Sequence, residues 1–245
     1  MNKASIAVII PALNEPDSIA AVLAELGPDA ARWIFVVVGD GHDPTAEVAA
    51  RHGACPLVQP RPGYGAACYE GARVALERGA GVLAFIDGDY SDPASELPRV
   101  LEPILAGRAD LVLGCRDMSR YPDALPLHAR AGNRLVLLAL WALLGRRLPD
   151  LPSFKAVRAE RFGALEMRER TYGWTVEMLV KAVRARLRIA EVPVEYRPRL
   201  AGRSKVSGTV RGSLGAAWKL VTSAVRYATW VPSPSLAVDD AGGIR

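Results

Sequence analysis

Hydrophobic positions along the chain fall into short continuous runs separated by polar turns and helical stripes. Ile6-Ala7-Val8-Ile9-Ile10 predicts a strand from Ala4 to Ile10, closed by Pro11. Asn14-Glu15-Pro16-Asp17 opens a helix to about Leu26, because proline suits a first helical turn and acids favour the positive helix end. Trp33 to Val38 predicts a second strand, followed by the turn Gly39-Asp40-Gly41-His42-Asp43-Pro44 and a helix from Thr45 to about His52. A short strand at Leu57-Val58, a helix from Gly65 to Glu77 and a strand from Val82 to Ile86 repeat the alternation. A helix beginning near Pro93 and a strand from Asp110 to Gly114 complete it. Such alternation implies right-handed crossovers and an α/β class, a Rossmann-like mostly parallel sheet flanked by helices.

The second half is less regular. His128 to Gly145 predicts a helix whose first turn carries Arg130, Asn133 and Arg134 and whose later turns are almost wholly apolar. Asp150-Leu151-Pro152-Ser153-Phe154 is a predicted loop, and Gly173-Trp174-Thr175-Val176-Glu177 opens a helix to about Arg186. Ile189 to Val194 predicts a further strand, with Pro193 pointing to an edge position. Leu214, Ala217, Trp218, Val221, Val225 and Ala228 recur at helical spacing opposite Lys219, Thr222 and Arg226, which predicts an amphipathic C-terminal helix. That helix either lies in a membrane interface or packs on its own domain. The expected organisation is one domain over residues 1–212, the amphipathic helix over 213–231 and a disordered tail over 232–245.

With 245 residues, half of them hydrophobic, the chain can bury a full core. A formal charge of +5 suits anionic partners such as nucleotide-sugars or lipid phosphates, and equally an ordinary basic protein. Cys55, Cys68 and Cys115 are odd in number and widely spaced, which argues against a disulfide framework or zinc site and for a reducing compartment. No run reaches the roughly 18 to 20 apolar residues that span a bilayer, and the N-terminus lacks a signal-peptide layout.

The chemistry concentrates at Ala84-Phe85-Ile86-Asp87-Gly88-Asp89, where an apolar strand ends in two carboxylates flanking a glycine. Alternation along an extended chain sends Asp87 and Asp89 to the same side. Hard oxygen donors there suit Mg²⁺ or Mn²⁺ held against substrate phosphates, whereas the structural alternative has Asp89 capping the helix after Pro93. In parallel sheets ligands sit beyond the carboxyl ends of the strands, so Pro11 to Glu15, Asp40, Asp87 to Asp89 and Arg116 converge on one edge. The glycine-containing segment Pro60 to Ala67 opens a helix and serves either a phosphate or close packing. Arg197, Arg199, Arg203 and Lys205 form either a diphosphate clamp or a solvated basic loop.

Taken together and in order, Pro11-Ala12-Leu13-Asn14-Glu15, Asp87-Gly88-Asp89-Tyr90-Ser91-Asp92-Pro93, Gly114-Cys115-Arg116, Trp174 to Met178, and Glu191 to Tyr196 with Arg199, Gly202, Ser204 and Lys205 resemble the inverting family 2 glycosyltransferases of the GT-A fold. The branch they most resemble is that of the polyprenyl-phosphate (dolichyl-phosphate) sugar synthases. The likeness runs from about Ile6 to Lys219. It implies that Pro11, Leu13, Glu15, Asp40, Asp87, Gly88, Asp89, Arg199 and Lys205 bind the nucleotide-sugar, with Asp87 and Asp89 as metal carboxylates. It implies that Arg116, like Arg199 and Lys205, holds the donor diphosphate or the acceptor phosphate. Arg130 and Arg134, four apart on one helix face beside an apolar run, are either solvated surface or a place for a lipid phosphate, which adds Arg130 to the expected acceptor-phosphate residues. The expected catalytic set is Asp89, Arg116 and Glu177, with Glu177 orienting sugar hydroxyls or serving as a helix N-terminal acid. One departure stands out: the family's acidic turn after the second strand is here one residue shorter, at Gly39 to Thr45.

The implied activity is inverting, metal-dependent transfer of a sugar from a UDP- or GDP-sugar to a polyprenyl phosphate, at the cytoplasmic face of a membrane touched peripherally. Nucleic acid is not an expected partner, and a homodimer is left open. An anionic phosphate acceptor attacks without a dedicated base, which suits a chain whose histidines are His42, His52 and His128. Alternatives are a soluble acceptor, which would call on Glu177 as base, and a sugar nucleotidyltransferase, which would need a basic triphosphate loop after the first strand.

Overall fold

A computed structural model describes residues 5–201 and 210–233. Seven strands, β1 (Ile6–Pro11), β2 (Trp33–Val38), β3 (Cys55–Val58), β4 (Val82–Phe85), β5 (Leu111–Asp117), β6 (Lys155–Arg158) and β7 (Ile189–Glu195), form one sheet in the order β3-β2-β1-β4-β6-β5-β7. All run the same way except β6, which is antiparallel to β4 and β5. The eight α-helices among the described residues are α1 (Pro16–Leu26), α2 (Thr45–Arg51), α3 (Tyr64–Glu77), α4 (Leu97–Leu105), α5 (Leu127–Leu144), α6 (Ala159–Ala164), α7 (Trp174–Arg184) and α8 (Val210–Ala228).

Two cores follow from strand alternation. Ile6, Val8 and Ile10 face one side of the sheet with Val36, Val38 and Ala84, where α1 and α4 cover them with Ile19, Val22, Val100 and Ile104. Ile9, Phe35, Val37 and Phe85 face the other side, beneath Cys68 and Ala72 of α3 and Trp174 and Met178 of α7. Central strands flanked on both faces must be apolar throughout, which is why β1 is buried at every position. Pro193 lies in β7 at the sheet edge, where a missing N–H leaves no inner ladder bond unmade.

Strand β6 directly follows the predicted loop and carries Lys155 into the sheet, fully buried. The predicted C-terminal helix is present but starts at Val210, and it packs against α5 and α7 through Ala217, Ala224 and Tyr227 rather than standing alone. The three cysteines are free thiols. No helix among the described residues is long and apolar enough to cross a membrane.

Candidate active site

The carboxyl ends of β1, β4 and β5 open into a cleft of about 470 Å³. Pro11, Leu13 and Glu15 line it from β1, Asp87, Gly88 and Asp89 from β4, and Arg116 from β5. Gly88 is required here because a Cβ would lie 3.0 Å from Ala12 Cβ and 3.3 Å from the Pro11 carbonyl. Its absence lets the β4 turn nest against the β1 turn. Tyr90 follows with a φ of 69°, unusual for a bulky side chain, and is held by its hydroxyl donating to Glu25 at 2.7 Å.

Backbone hydrogen bonds sew the segment after β7 onto the acidic turn. Arg197 N–H donates to the Ser91 carbonyl at 2.9 Å and Leu200 N–H to the Asp89 carbonyl at 3.3 Å. The Arg197 guanidinium pairs with Glu25 and Glu195, both at 2.7 Å. This tether delivers Arg199 to the acids: its guanidinium is 2.7 Å from Asp89 and 3.4 Å from Glu15. Residues far apart in sequence therefore meet at one point.

Asp87 and Asp89 are not equivalent. Asp89 accepts from the Ser91 N–H at 2.9 Å and hydroxyl at 2.6 Å, so it closes its own turn rather than capping α4. Asp87 is half-buried in the cleft wall and accepts only the Tyr64 hydroxyl, at 2.9 Å, among the side-chain bonds described. Burial, followed by the charge of Asp89, pushes its carboxyl up to about 6. Asp92, deeper and fully buried, is pushed up to about 7 by burial and then by Asp87, and one of its oxygens has no partner while the other accepts from Ser153 at 2.7 Å. Lys155 lies beneath them, donating to Thr175 at 2.7 Å, its ammonium lowered to about 8 by burial.

No cluster of three or more His, Cys, Asp or Glu able to hold a metal occurs among the described residues. The donor set nevertheless fits Mg²⁺ or Mn²⁺, which binds through one or two carboxylates and completes its shell with substrate phosphates and water. Asp87 and Asp89 would provide those carboxylates; the Asp87 carboxyl, raised first by desolvation and then by the charge of Asp89, is one whose ionised form a cation would favour.

Arg116 points into the cleft with its guanidinium fixed by Asp150, through Nε at 2.7 Å and Nη2 at 2.5 Å. Asn133 of α5 donates to the same carboxylate at 3.0 Å, and the Tyr196 ring lies under the guanidinium at 5.3 Å. Beyond Arg116 the cleft turns apolar. Leu125 and Ala129 at the start of α5, Leu151, Val176, and Ala217 and Leu220 of α8 wall this far end.

Several expected site residues are placed elsewhere. Glu177 is fully buried, paired with Lys181 at 2.7 Å, and accepts the backbone N–H groups of Arg168 and Glu169. It braces the turn before α7 and does not line the cleft, which corrects its catalytic assignment. Asp40 is exposed outside the cleft lining and accepts the His42 N–H at 2.8 Å. The buried acid of that turn is Asp43, which accepts the N–H groups of Asn14 and Thr45 and so fixes the β1 turn. Arg130 donates to the Leu125 carbonyl and sits on the outer side of α5, away from the cleft. Lys205, with Gly202, Arg203 and Ser204, lies outside the described residues. The glycines of the segment before α3 serve packing, since a Cβ on Gly63 would lie 2.2 Å from the Arg170 carbonyl and Gly65 N–H donates to the Thr171 carbonyl, while Gly63, Tyr64 and Ala67 also line the cleft.

A largely parallel sheet whose carboxyl edge opens into a cleft of acids and arginines is placed as α/β enzymes place their ligand sites. The chain belongs to the glycosyl transferase family 2, whose model matches residues 7–161; it is a glycosyltransferase. It is 39% identical to an uncharacterized glycosyltransferase of Mycobacterium tuberculosis over 89% of this chain and 98% of that protein. It is 32% identical to the undecaprenyl-phosphate mannosyltransferase of Micrococcus luteus, over 83% and 88% respectively. The dolichyl-phosphate hexose transferase of Haloferax volcanii is 33% identical, over 85% and 89%. The fold is shared with glucosyl-3-phosphoglycerate synthase from Mycobacterium tuberculosis, solved with Mn²⁺, UDP-glucose and phosphoglyceric acid, at a TM-score of 0.73 and 22% identity, over 94% of this chain and 81% of that one. The expected α/β architecture is thereby established.

Proposed function

We propose that this glycosyltransferase moves a sugar from a nucleoside-diphosphate donor onto the phosphate of a polyprenyl lipid, with inversion. The observation that carries the reading is the two-part cleft, whose charged end meets an apolar end between α5 and α8. Asp87 and Asp89 would hold Mg²⁺ or Mn²⁺, which when bound neutralises charge on the departing diphosphate. Arg199, already at Asp89, is placed to share that task as its carboxylate partner turns to the cation. Arg116, fixed in orientation by Asp150, offers its remaining N–H donors to the acceptor phosphate. Pro11, Leu13, Glu15 and Gly88 shape the donor pocket beside them.

A phosphate monoester arrives ionised and needs no base to attack the anomeric carbon, since inversion requires only in-line approach opposite the leaving diphosphate. Burial of Glu177 supports this reading, because the carboxylate that a hydroxyl acceptor would have called on is out of reach. The relatives from Micrococcus luteus and Haloferax volcanii, named for undecaprenyl-phosphate and dolichyl-phosphate substrates, support the lipid acceptor. The test is a screen of UDP- and GDP-sugars against a short-chain polyprenyl phosphate and against phosphoglycerate, with and without Mn²⁺. Metal-dependent product on the polyprenyl phosphate alone is expected; product on phosphoglycerate alone would overturn the acceptor assignment.

A further inference from the structure

Helix α5 turns its apolar residues the wrong way for a helix that only packs on a domain. Val136 and Leu140 are its buried side chains, whereas Leu127 is 80% exposed, Leu135 55% and Leu138 59%. With Ala131 and Arg134 these follow a helical stripe of positions 127, 131, 134, 135 and 138, so they share one solvent-facing side. The stripe is continuous enough to form a shallow pocket lined by Leu127, Arg130, Ala131, Arg134, Leu135 and Leu138. Isolated exposed leucines are ordinary, but a contiguous apolar stripe flanked by arginines marks a binding surface.

The chemistry of the occupant follows from charge. Neither α5 nor α8, which packs beside it, contains an aspartate or glutamate. Arg130 and Arg134 lie within the stripe, Arg147 stacks on Trp141 at 4.9 Å near the helix end, and α8 leaves Trp218 71% exposed with Lys219 beside it. Leucine and tryptophan combined with arginine and no acids match the boundary between anionic headgroups and acyl chains.

We propose that the outer face of α5 docks on an anionic phospholipid bilayer, the leucines entering the acyl boundary and Arg130 and Arg134 engaging headgroup phosphates. The inner face of the same helix walls the apolar end of the cleft, so docking would set that end against the membrane. Docking extends the lipid-acceptor reading, yet vesicles free of polyprenyl phosphate test it separately, and sugar transfer to a soluble short-chain acceptor would stand whatever their outcome.

The experiment is flotation of the full chain with vesicles of phosphatidylcholine alone and of phosphatidylcholine mixed with phosphatidylglycerol. Wild-type protein is expected to float with the mixed vesicles, and to lose much of that binding at high salt. The double variant Leu135→Glu/Leu138→Glu is expected to reduce flotation by about tenfold or more with its melting temperature unchanged, since both positions are exposed. Arg134→Glu provides a milder second variant, expected to abolish the preference for the anionic mixture. Wild-type protein that stays at the bottom of the gradient, or variants that float equally well, would overturn the proposal. So would a wild-type dimer that the double variant converts to a monomer, because the face would then belong to a second copy.

Discussion

Two carboxylate-cation pairs in this protein use the same chemistry for opposite ends. In the cleft Asp89 meets Arg199 at 2.7 Å, with the arginine partly exposed and delivered by an irregular segment after β7. In the core Glu177 meets Lys181 at the same distance, both wholly buried within one helix. The core pair is saturated: Glu177 also accepts two backbone N–H groups, and Lys181 donates to the carbonyls of Leu165 and Glu166. The cleft pair is adjacent to Asp87, a cleft-lining carboxyl that desolvation and then the charge of Asp89 push up, so the ionised pair calls for a cation. A saturated pair holds structure, and an exchangeable one can give up a partner to a substrate.

Breaking each pair separates these roles, with the largest change expected at the cleft. Asp89→Ala should lower turnover by roughly 10²–10³-fold or more while leaving the unfolding transition cooperative; measured transfer within a few-fold of wild type would mean that Asp89 is not in the reacting site. Glu177→Gln should do the reverse. Stranding Lys181 in the core should cost about 3–5 kcal/mol in a denaturant titration, with the folded fraction keeping most of its specific activity. An inactive but fully stable Glu177→Gln would return that residue to catalysis.

Smaller changes sharpen the contrast. Arg199→Ala should raise the apparent KM for the donor by about tenfold, the scale of one charge-assisted hydrogen bond, and a change confined to the acceptor KM would reassign the arginine. Asp92→Asn tests the buried acids through pH. Its carboxyl, ordinarily at 3.8, stands at about 7 in the fold. The folded state therefore binds the extra proton, and its stability falls as pH rises from about 4 to about 7. The asparagine variant escapes that loss, so its melting temperature relative to wild type should climb across this window and level off near pH 8, by about 2–4 °C for each kcal/mol recovered. A difference independent of pH would show that Asp92 carries no such penalty.

Much of this arrangement is legible in the residues alone, and the failures have physical causes. Strands β1, β2 and β4 announce themselves because a strand covered on both faces must be continuously apolar, and their polar ends mark the site edge. Strand β6 escapes because Lys155-Ala-Val-Arg is short and bounded by charges, and a lysine ordinarily signals solvent. With it goes Lys155 and its relation to Asp87, for which only tertiary packing supplies a signal. Asp150 lies in a recognisable loop, yet its grip on Arg116 spans 34 positions and has no local signature. Glu177 is different: Lys181 stands one helical turn later on a predicted helix, an i,i+4 pair that residue spacing alone makes legible. Asp40 misleads because the turn carries two acids, and tertiary contact with the Asn14 N–H, which no local pattern announces, selects Asp43 as the buried one.

In the proposed reaction Asp87, Asp89 and Arg199 surround the diphosphate of a nucleotide donor through a divalent cation. Calorimetric titration of the wild-type protein with UDP and GDP, with and without Mn²⁺, tests it most directly. One nucleotide should bind only when Mn²⁺ is present, and the Asp87→Ala/Asp89→Ala double variant should show no Mn²⁺-dependent heat. Equal binding without metal, or metal-dependent binding retained by that variant, would contradict it.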